Sequence, residues 1–554
     1  MRAETTTKVL SKTGSPRALA AWVVCAATLL TLASGSDPAE AQLGIPGFSL
    51  IPGFDAGMLG TASAVGDFNN DGYDDLVVGM PEFDVAGNFA AGAVGLFLGG
   101  DGDWSNVFFF VSEDLLIPGE SGARFGSALT TGDFDQDGHD DLVIGVPGKS
   151  VNGVDSAGEI VVAYGTSSGS KQAAAPDGSG VPAFDIARTQ VFSQAPLPGA
   201  VEEDDQFGFS LAAGDLSADG VADLAIGIPF EDIDSKLGLL ESVGAINIMY
   251  GISGVGLTAA GSQLFNEDSP GIGFNANTDE RFGFSLAIGH FAGSGVGFTD
   301  LAVGVPGEVV FGPGMHGGIV IFPGAPSGID PTTSTVVTFS QHTPGVLGVE
   351  QDGDEFGYAL AVGNFDGDSW TDLAIGVPGE SEFGTTESGA VQILYGNVNG
   401  LIVGGNQFLV ESTIDPDVSA FDRLGMAVAA GDFDGDGRDD LAMGAPLDNS
   451  LGFANSGEVT VFYGTPSGVS TAGHQIFNMI FFDTLEIGTL FGSALTTGRF
   501  FRSGEGRHDL AVGVPRFGTP VGSEPGASLV IRSQVLFEDG FETGNTSAWS
   551  STVP

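Results

Sequence analysis

Downstream of residue 41, apolar residues come in short runs, and the runs come in a fixed order. One run follows a Phe-Gly pair, as at Phe125-Gly126 and Phe207-Gly208. A second, such as Asp141-Leu-Val-Ile-Gly145, leads into Gly-x-Pro. A third is continuous or alternating, as in GEIVVAYG, GAINIMYG, GGIVIFPG, GAVQILYG and GEVTVFYG. A fourth follows a Gly-rich turn, as in TQVFSQ, SQLFNE, STVVTFSQ, NQFLVE and HQIFNM. Runs of about four to eight residues, rich in Val, Ile, Phe and Tyr and bounded by Gly, Pro and Asp, predict β-strands. No segment after residue 41 sustains helical periodicity, so the pattern predicts an all-β chain.

The block of four runs recurs seven times. The residue after its fixed glycine is Asp67, Asp133, Asp215, His290, Asn364, Asp432 and Arg499, an average spacing of about 72 residues. The Gly-x-Pro prolines are Pro81, Pro147, Pro229, Pro306, Pro378, Pro446 and Pro515. A single four-stranded sheet cannot bury both faces, whereas seven packed around an axis can. The arithmetic predicts a seven-bladed β-propeller of four-stranded antiparallel blades over 42–535, with no room for a separate catalytic domain. An open solenoid of the same units would need capping ends, which the pattern lacks. Phe48-Ser-Leu-Ile51 reads as a fourth strand without the first three. It is expected to complete the seventh blade beside Ala527-Ser-Leu-Val-Ile531.

Between the first and second runs lies an acidic loop, Asp-x-Asp-x-Asp-Gly-x-x-Asp. Counting from the anchor residue as position 1, the ligand set of positions 1, 3, 5, 7 and 9 is Asp67, Asn69, Asp71, Tyr73 and Asp75 in unit one. Unit two offers Asp133, Asp135, Asp137, His139 and Asp141; unit three offers Asp215, Ser217, Asp219, Val221 and Asp223. Unit five offers Asn364, Asp366, Asp368, Trp370 and Asp372, and unit six Asp432, Asp434, Asp436, Arg438 and Asp440. Position 7 contributes its backbone carbonyl. A hard cation such as Ca²⁺ takes six to eight oxygens at roughly 2.3–2.6 Å, and alternate side chains converge on it only if the chain curls tightly. Glycine at position 6 permits the curl by adopting positive φ. Solvated acidic turns are the bland alternative, but five copies in register favour calcium, at about five sites. The loop is no EF-hand: position 12, Val78, Ile144 or Met443, continues a strand where that motif needs a bidentate Glu. Units four (His290 to Asp300) and seven (Arg499 to Asp509) are two residues longer and keep only the last Asp. Both are expected to be metal-free, with Arg499 or Arg502 supplying positive charge instead.

Composition narrows the function. Seventeen Lys and Arg against 71 Asp and Glu give a formal net charge of −54, which excludes the basic footprint of a nucleic-acid binder. Hydrophobic residues at 42% and charged residues at 16% exclude disorder. Arg2, Lys8, Lys12 and Arg17 precede a short apolar run, Ala18 to Ala33, and Ala39-Glu40-Ala41 suits cleavage, so 1–41 reads as a signal peptide. The only cysteine, Cys25, lies in that run, so the exported chain would hold together without disulfides. No membrane span is expected in the mature chain, which is read as a secreted or surface-displayed monomer. The remaining 536–554 form a short tail.

Together the Phe-Gly opening, the Asp-x-Asp-x-Asp-Gly-x-x-Asp loop and the Gly-x-Pro close resemble FG-GAP repeats. Such repeats build the N-terminal propeller of integrin α subunits and occur in bacterial secreted proteins. The resemblance implies calcium between the first two strands of a blade. It also implies binding or adhesion, with the partner on the opposite face; that partner is an unknown protein or carbohydrate. Catalytic signals are weak. Gly165-Thr-Ser167-Ser-Gly169 lacks the strand-to-helix context of a nucleophile elbow, and Gly312-Pro-Gly314-Met-His-Gly317 precedes a strand rather than a helix. The six histidines form no zinc motif and read as scattered surface groups. The chain is therefore read as a non-enzymatic binding module. The alternative is an extracellular hydrolase or lyase acting on polysaccharide or phospholipid, which a central-channel cluster of His, Arg and carboxylates would favour.

Overall fold

A computed structural model describes residues 48–52 and 58–533, apart from 101–106, 116, 168–182, 236–237, 292–297, 311–313, 327, 333, 383, 414–419, 450–452, 480–487, 502–505 and 518–525. The leader, the tail, Arg502 and the middle of each lengthened loop (292–297 and 502–505) lie outside the described residues. Seven four-stranded antiparallel sheets stand in a ring as a β-propeller, and no α-helix occurs among the described residues. In blade two the strands are Ala128–Gly132, Asp141–Val146, Glu159–Ala163 and Gln190–Ser193, innermost to outermost. Blade three adds a hairpin that the hydrophobic pattern did not predict, Ile233–Ser235 with Gly238–Leu240, between its second and third strands.

The second strand of every blade is buried along its whole length, as at Asp75–Met80, Asp223–Ile228 and Asp509–Val514. It is sandwiched between neighbouring sheets, which is why these runs are apolar throughout rather than alternating. The core is accordingly a set of clusters between blades. Phe68, Val77 and Leu96 of blade one pack with Phe125, Leu142 and Val161 of blade two. Leu76 and Phe97 of blade one likewise pack with Phe500, Ala511 and Val530 of blade seven.

The two glycine motifs meet across these interfaces. A Cβ on Gly79 would stand 2.0 Å from the carbonyl oxygen of Gly126, the Phe-Gly glycine of the next blade. Gly145 meets Gly208 in the same way at 2.2 Å, and Gly513 meets Gly60 at 2.0 Å, so the contact runs around the ring and closes it. No side chain fits there, so both motifs are blade-to-blade spacers.

Closure follows the predicted scheme. Phe48–Pro52 adds antiparallel to Ala527–Ile531, with Phe48 opposite Ile531 and Pro52 opposite Ala527. The seventh blade thus takes three strands from one end of the propeller and one from the other. The innermost strands surround an axial cavity of about 280 Å³ lined by groups such as Ser63, Leu129, Leu211, Leu286, Tyr358 and Leu495.

Candidate metal centres

Each acidic loop hangs between a first and a second strand, held at both ends. Position 2 is an apolar side chain driven fully into the core: Phe68, Phe134, Leu216, Phe365 or Phe433. Position 9 opens the second strand, and its carboxylate is fully buried. Within this frame the carboxylates organise the turn. Asp133 accepts from the amides of Asp137 (3.1 Å) and Gly138 (2.9 Å); Asp135 accepts from Asp137 (3.2 Å); Asp137 accepts from His139 (3.0 Å). Blade six repeats this with Asp432, Asp434 and Asp436, blade one with Asp67 and Asp71, and blade three with Asp215 and Asp219.

Position 6 has positive φ where it is glycine, as expected: Gly72 (89°), Gly138 (88°), Gly220 (84°) and Gly437 (88°). Blade five differs, because Ser369 holds that position and Gly367, at position 4, carries the positive φ of 75°. Position 4 is left-handed in the other loops too, at Asn70, Gln136, Ala218 and Gly435, so the curl uses two such residues and not one.

Carboxylate oxygens of Asp133, Asp135 and Asp141 lie within 4.8 Å of one another, as do those of Asp432, Asp434 and Asp440. In blades one, three and five, where Asn or Ser replaces one acid, no three carboxylates meet that closely among the described residues. The donor set nevertheless fits a hard cation in those loops as well. It consists of oxygens, and the shielded Oδ1 atoms of Asn69 and Asn364 have no hydrogen-bond partner. Burial pushes the position 9 carboxyls up, to about 8 for Asp75, Asp141 and Asp440 and to about 7 for Asp223 and Asp372; neighbouring loop acids add to the effect, while backbone amides oppose it. Such groups favour a positive charge at the loop.

Three features were missed by sequence reasoning. First, Arg188 lies over the Tyr164 ring at 4.4 Å and places Nη2 2.5 Å from Asp135 Oδ2, although 53 residues separate it from that acid. Second, position 8 ties each loop to the preceding blade. The Asp140 carboxylate accepts from the Asp67 amide at 2.8 Å, and the Asp140 amide returns to the Asp67 carbonyl at 3.2 Å. The reciprocal pair recurs as Asn364 with Asp439, Asp432 with His508 and His290 with Thr371. It also joins Arg499 to Asp74, across the ring closure. Arg499 is thereby corrected from a stand-in charge for its own loop to a partner of blade one, with Nε 3.8 Å from Asp74 Oδ2.

Third, position 9 is a backbone clamp. In blade two, Asp141 Oδ2 accepts from the Phe134 amide (3.0 Å) and Oδ1 from the Gly165 amide (2.8 Å), joining the loop to the end of the third strand. The second of these bonds recurs at Asp75, Asp223, Asp300, Asp372, Asp440 and Asp509. That explains why the lengthened loops of blades four and seven retain this acid. The histidines need correcting too: His316 is buried, and it and His342 lie 3.4 and 2.8 Å from the carboxylate of Glu350.

Comparison with known proteins agrees with this geometry. The FG-GAP repeat family matches residues 59–97, 125–162, 207–245, 356–394 and 424–462, which are blades one, two, three, five and six. The two unmatched blades are those with lengthened loops. Integrin alpha pat-2 of Caenorhabditis briggsae is 31% identical over 261 residues, covering 45% of this chain and 18% of that protein. Phosphatidylinositol-glycan-specific phospholipase D of Mus musculus is 31% identical over 173 residues, covering 31% of this chain and 18% of that protein. Integrin alpha-PS2 of Drosophila melanogaster is 29% identical over 274 residues, covering 49% and 16%. The matched region thus spans about a fifth or less of each relative's length. Motif, ring and relatives converge: the chain is an FG-GAP repeat protein with an integrin α-like β-propeller.

Proposed function

We propose that this propeller is a calcium-binding, non-enzymatic binding or adhesion module that works outside the cell or on its surface. The observation that carries the reading is the Asp-x-Asp-x-Asp-type loop in five blades: in four the position 6 glycine amide donates to the position 1 carboxylate, and in blade five the Asn364 side-chain amide donates to the Asp368 carbonyl. Positions 1, 3, 5 and 9 would hold the ion, together with the carbonyl of position 7. Bound calcium supplies positive charge to a cluster of buried acids. The chain itself contributes the fixed curl, the Phe or Leu anchor at position 2 and the latch at position 8. Because that latch fixes each loop to the preceding blade, ordering a loop also orders an interface.

The axial cavity is lined by small, apolar or hydroxylic residues such as Ser63, Ala128, Leu211 and Tyr358. A second reading, a phospholipid- or polysaccharide-cleaving enzyme, draws on the similarity to phosphatidylinositol-glycan-specific phospholipase D. No helix among the described residues is long and apolar enough to cross a membrane. The test is calorimetric and thermal. Calcium should raise the melting temperature over that in chelator, because it binds only the folded chain. Asp135→Ala and Asp434→Ala should each remove one bound ion. An identical midpoint with and without calcium overturns the metal reading, and turnover of a phosphatidylinositol-glycan or polysaccharide by the purified chain overturns the non-enzymatic one.

A further inference from the structure

A second set of acids lies at the opposite end of the blades, where the Gly-x-Pro turns meet the Phe-Gly openings. Three positions converge at each of the junctions concerned. One follows the fourth strand of a blade. The other two belong to the next blade, one two residues before its Phe-Gly or Leu-Gly pair and one two residues after its Gly-x-Pro proline. Between blades two and three these are Gln194, Asp205 and Glu231; between four and five they are Gln341, Asp354 and Glu380. In both junctions the glutamine amide donates to the Glu at 2.7 Å, so a neutral donor satisfies a buried acid.

Between blades three and four the glutamine is replaced by a third acid. Glu267, Glu280 and Glu308 are 2%, 0% and 2% exposed, and one oxygen of each lies within 4.8 Å of the others. Both carboxylate oxygens of Glu267 and Oε2 of Glu308 accept no hydrogen bond from an amide or hydroxyl donor; Glu267 lies within hydrogen-bond reach of the Glu280 and Glu308 carboxyls themselves. The walls are fixed: the Asn277 side-chain amide holds Glu280 at 2.7 Å, and the amides of His316 and Gly317 hold the Glu308 carbonyl at 3.0 and 3.1 Å. A buried carboxylate without a donor is costly, and three side by side cannot all be ionised without a counter-charge. Burial and the neighbouring acids push Glu267 and Glu308 well above the usual carboxylate range.

We propose that the junction between blades three and four is a divalent-cation site of calcium type, formed by Glu267, Glu280 and Glu308, separate from the acidic loops and on the opposite face. Three carboxylates offer up to six hard oxygens and no nitrogen or sulfur donor, the set that suits Ca²⁺. Glu411, Asp422 and Asp448 repeat the arrangement between blades five and six, also within 4.8 Å. The ion would bridge two blades where the junctions between blades two and three and between blades four and five use a Gln–Glu hydrogen bond.

The test is Glu267→Gln in the full chain, probed with calcium alone. Glutamine already stands at this position in two junctions, so the variant should fold. Equilibrium dialysis should show one equivalent of calcium fewer than wild type. In chelator E267Q should melt above wild type, and in millimolar calcium below it. An unchanged count, with E267Q melting higher in both conditions, overturns the site and leaves shared protons as the compensation. If E267Q does not fold, the count for Glu308→Gln decides in the same way. Failure of the loop reading is distinguishable: Asp135→Ala would then leave the count unchanged while E267Q still lowers it.

Discussion

Asp300→Ala separates what the acidic loop does for the fold from what it does for a metal. Asp300 is fully buried in blade four, whose loop has lost the other acids. Its Oδ1 accepts from the Gly324 amide at 3.1 Å, tying the start of the second strand to the end of the third. Truncation leaves that amide buried without an acceptor. The expected loss is about 1.5–3 kcal/mol for this bond to a charged group. Asp300→Asn keeps an acceptor oxygen and should lose about half as much. The assay is the urea midpoint, measured in calcium and in chelator, with calcium stoichiometry measured alongside. The shift should be equal in both media and the stoichiometry unchanged. Asp141→Ala, which removes the same clamp from a loop with three converging acids, should lose more stability in calcium than in chelator. A loss seen only in calcium, or no loss for Asp300→Ala, would refute the clamp.

Deleting Gln42 to Pro52 removes the strand paired with Ala527–Ile531 and exposes a sheet edge whose side chains are otherwise buried. Aggregation or loss of cooperative unfolding is expected, and light scattering during a thermal melt shows it; a monomeric, equally stable product would argue against closure by this strand. In chelator, stability should fall as pH rises. Burial pushes Asp205 and Glu380 to about 7 and Glu231 and Asp354 to about 8, whereas the unfolded chain titrates near 4. The folded chain therefore binds protons that the unfolded chain has released, and this contribution, complete below about pH 4, is lost as pH rises through 7 to 8. Melting temperatures at pH 5.5 and 8.5 should differ in that sense, and less so for Asp354→Asn.

Much of this was legible because it is written in period. Phe-Gly, Gly-x-Pro and the spaced acids recur along one chain, so their register fixes strands, loops and blade number, and Phe48-Ser-Leu-Ile51 is recognisable as a displaced fourth strand. Residues that act across blades were hidden for the opposite reason. The latch at position 8 is made by Asp140, Thr371, Asp439 and His508, which share a place and a hydrogen-bonding capacity but no residue type. Arg188 reaches Asp135 through a connection whose sequence does not repeat. The junction acids Glu267 and Glu280 belong to different units, and five of the seven units lack the third acid, so no motif marks them. Ser369 shows the limit from inside the pattern: glycine moved from position 6 to position 4, and the loop still curled.

The pairing of Phe48 with Ile531 also sets an order of assembly. Each of the first six blades is built from consecutive strands and can form from local chain, whereas the seventh needs two segments from opposite ends of the propeller. Ring closure is therefore the most non-local event in the fold and the one with the largest search, so it belongs late in folding. Until it happens, Ala527–Ile531 is an unpaired edge and Phe48–Pro52 an unpaired strand of matching register. Two such chains at high concentration offer each other the same pairing, so refolding yield should fall with concentration, and the first product of that competition is a strand-exchanged dimer.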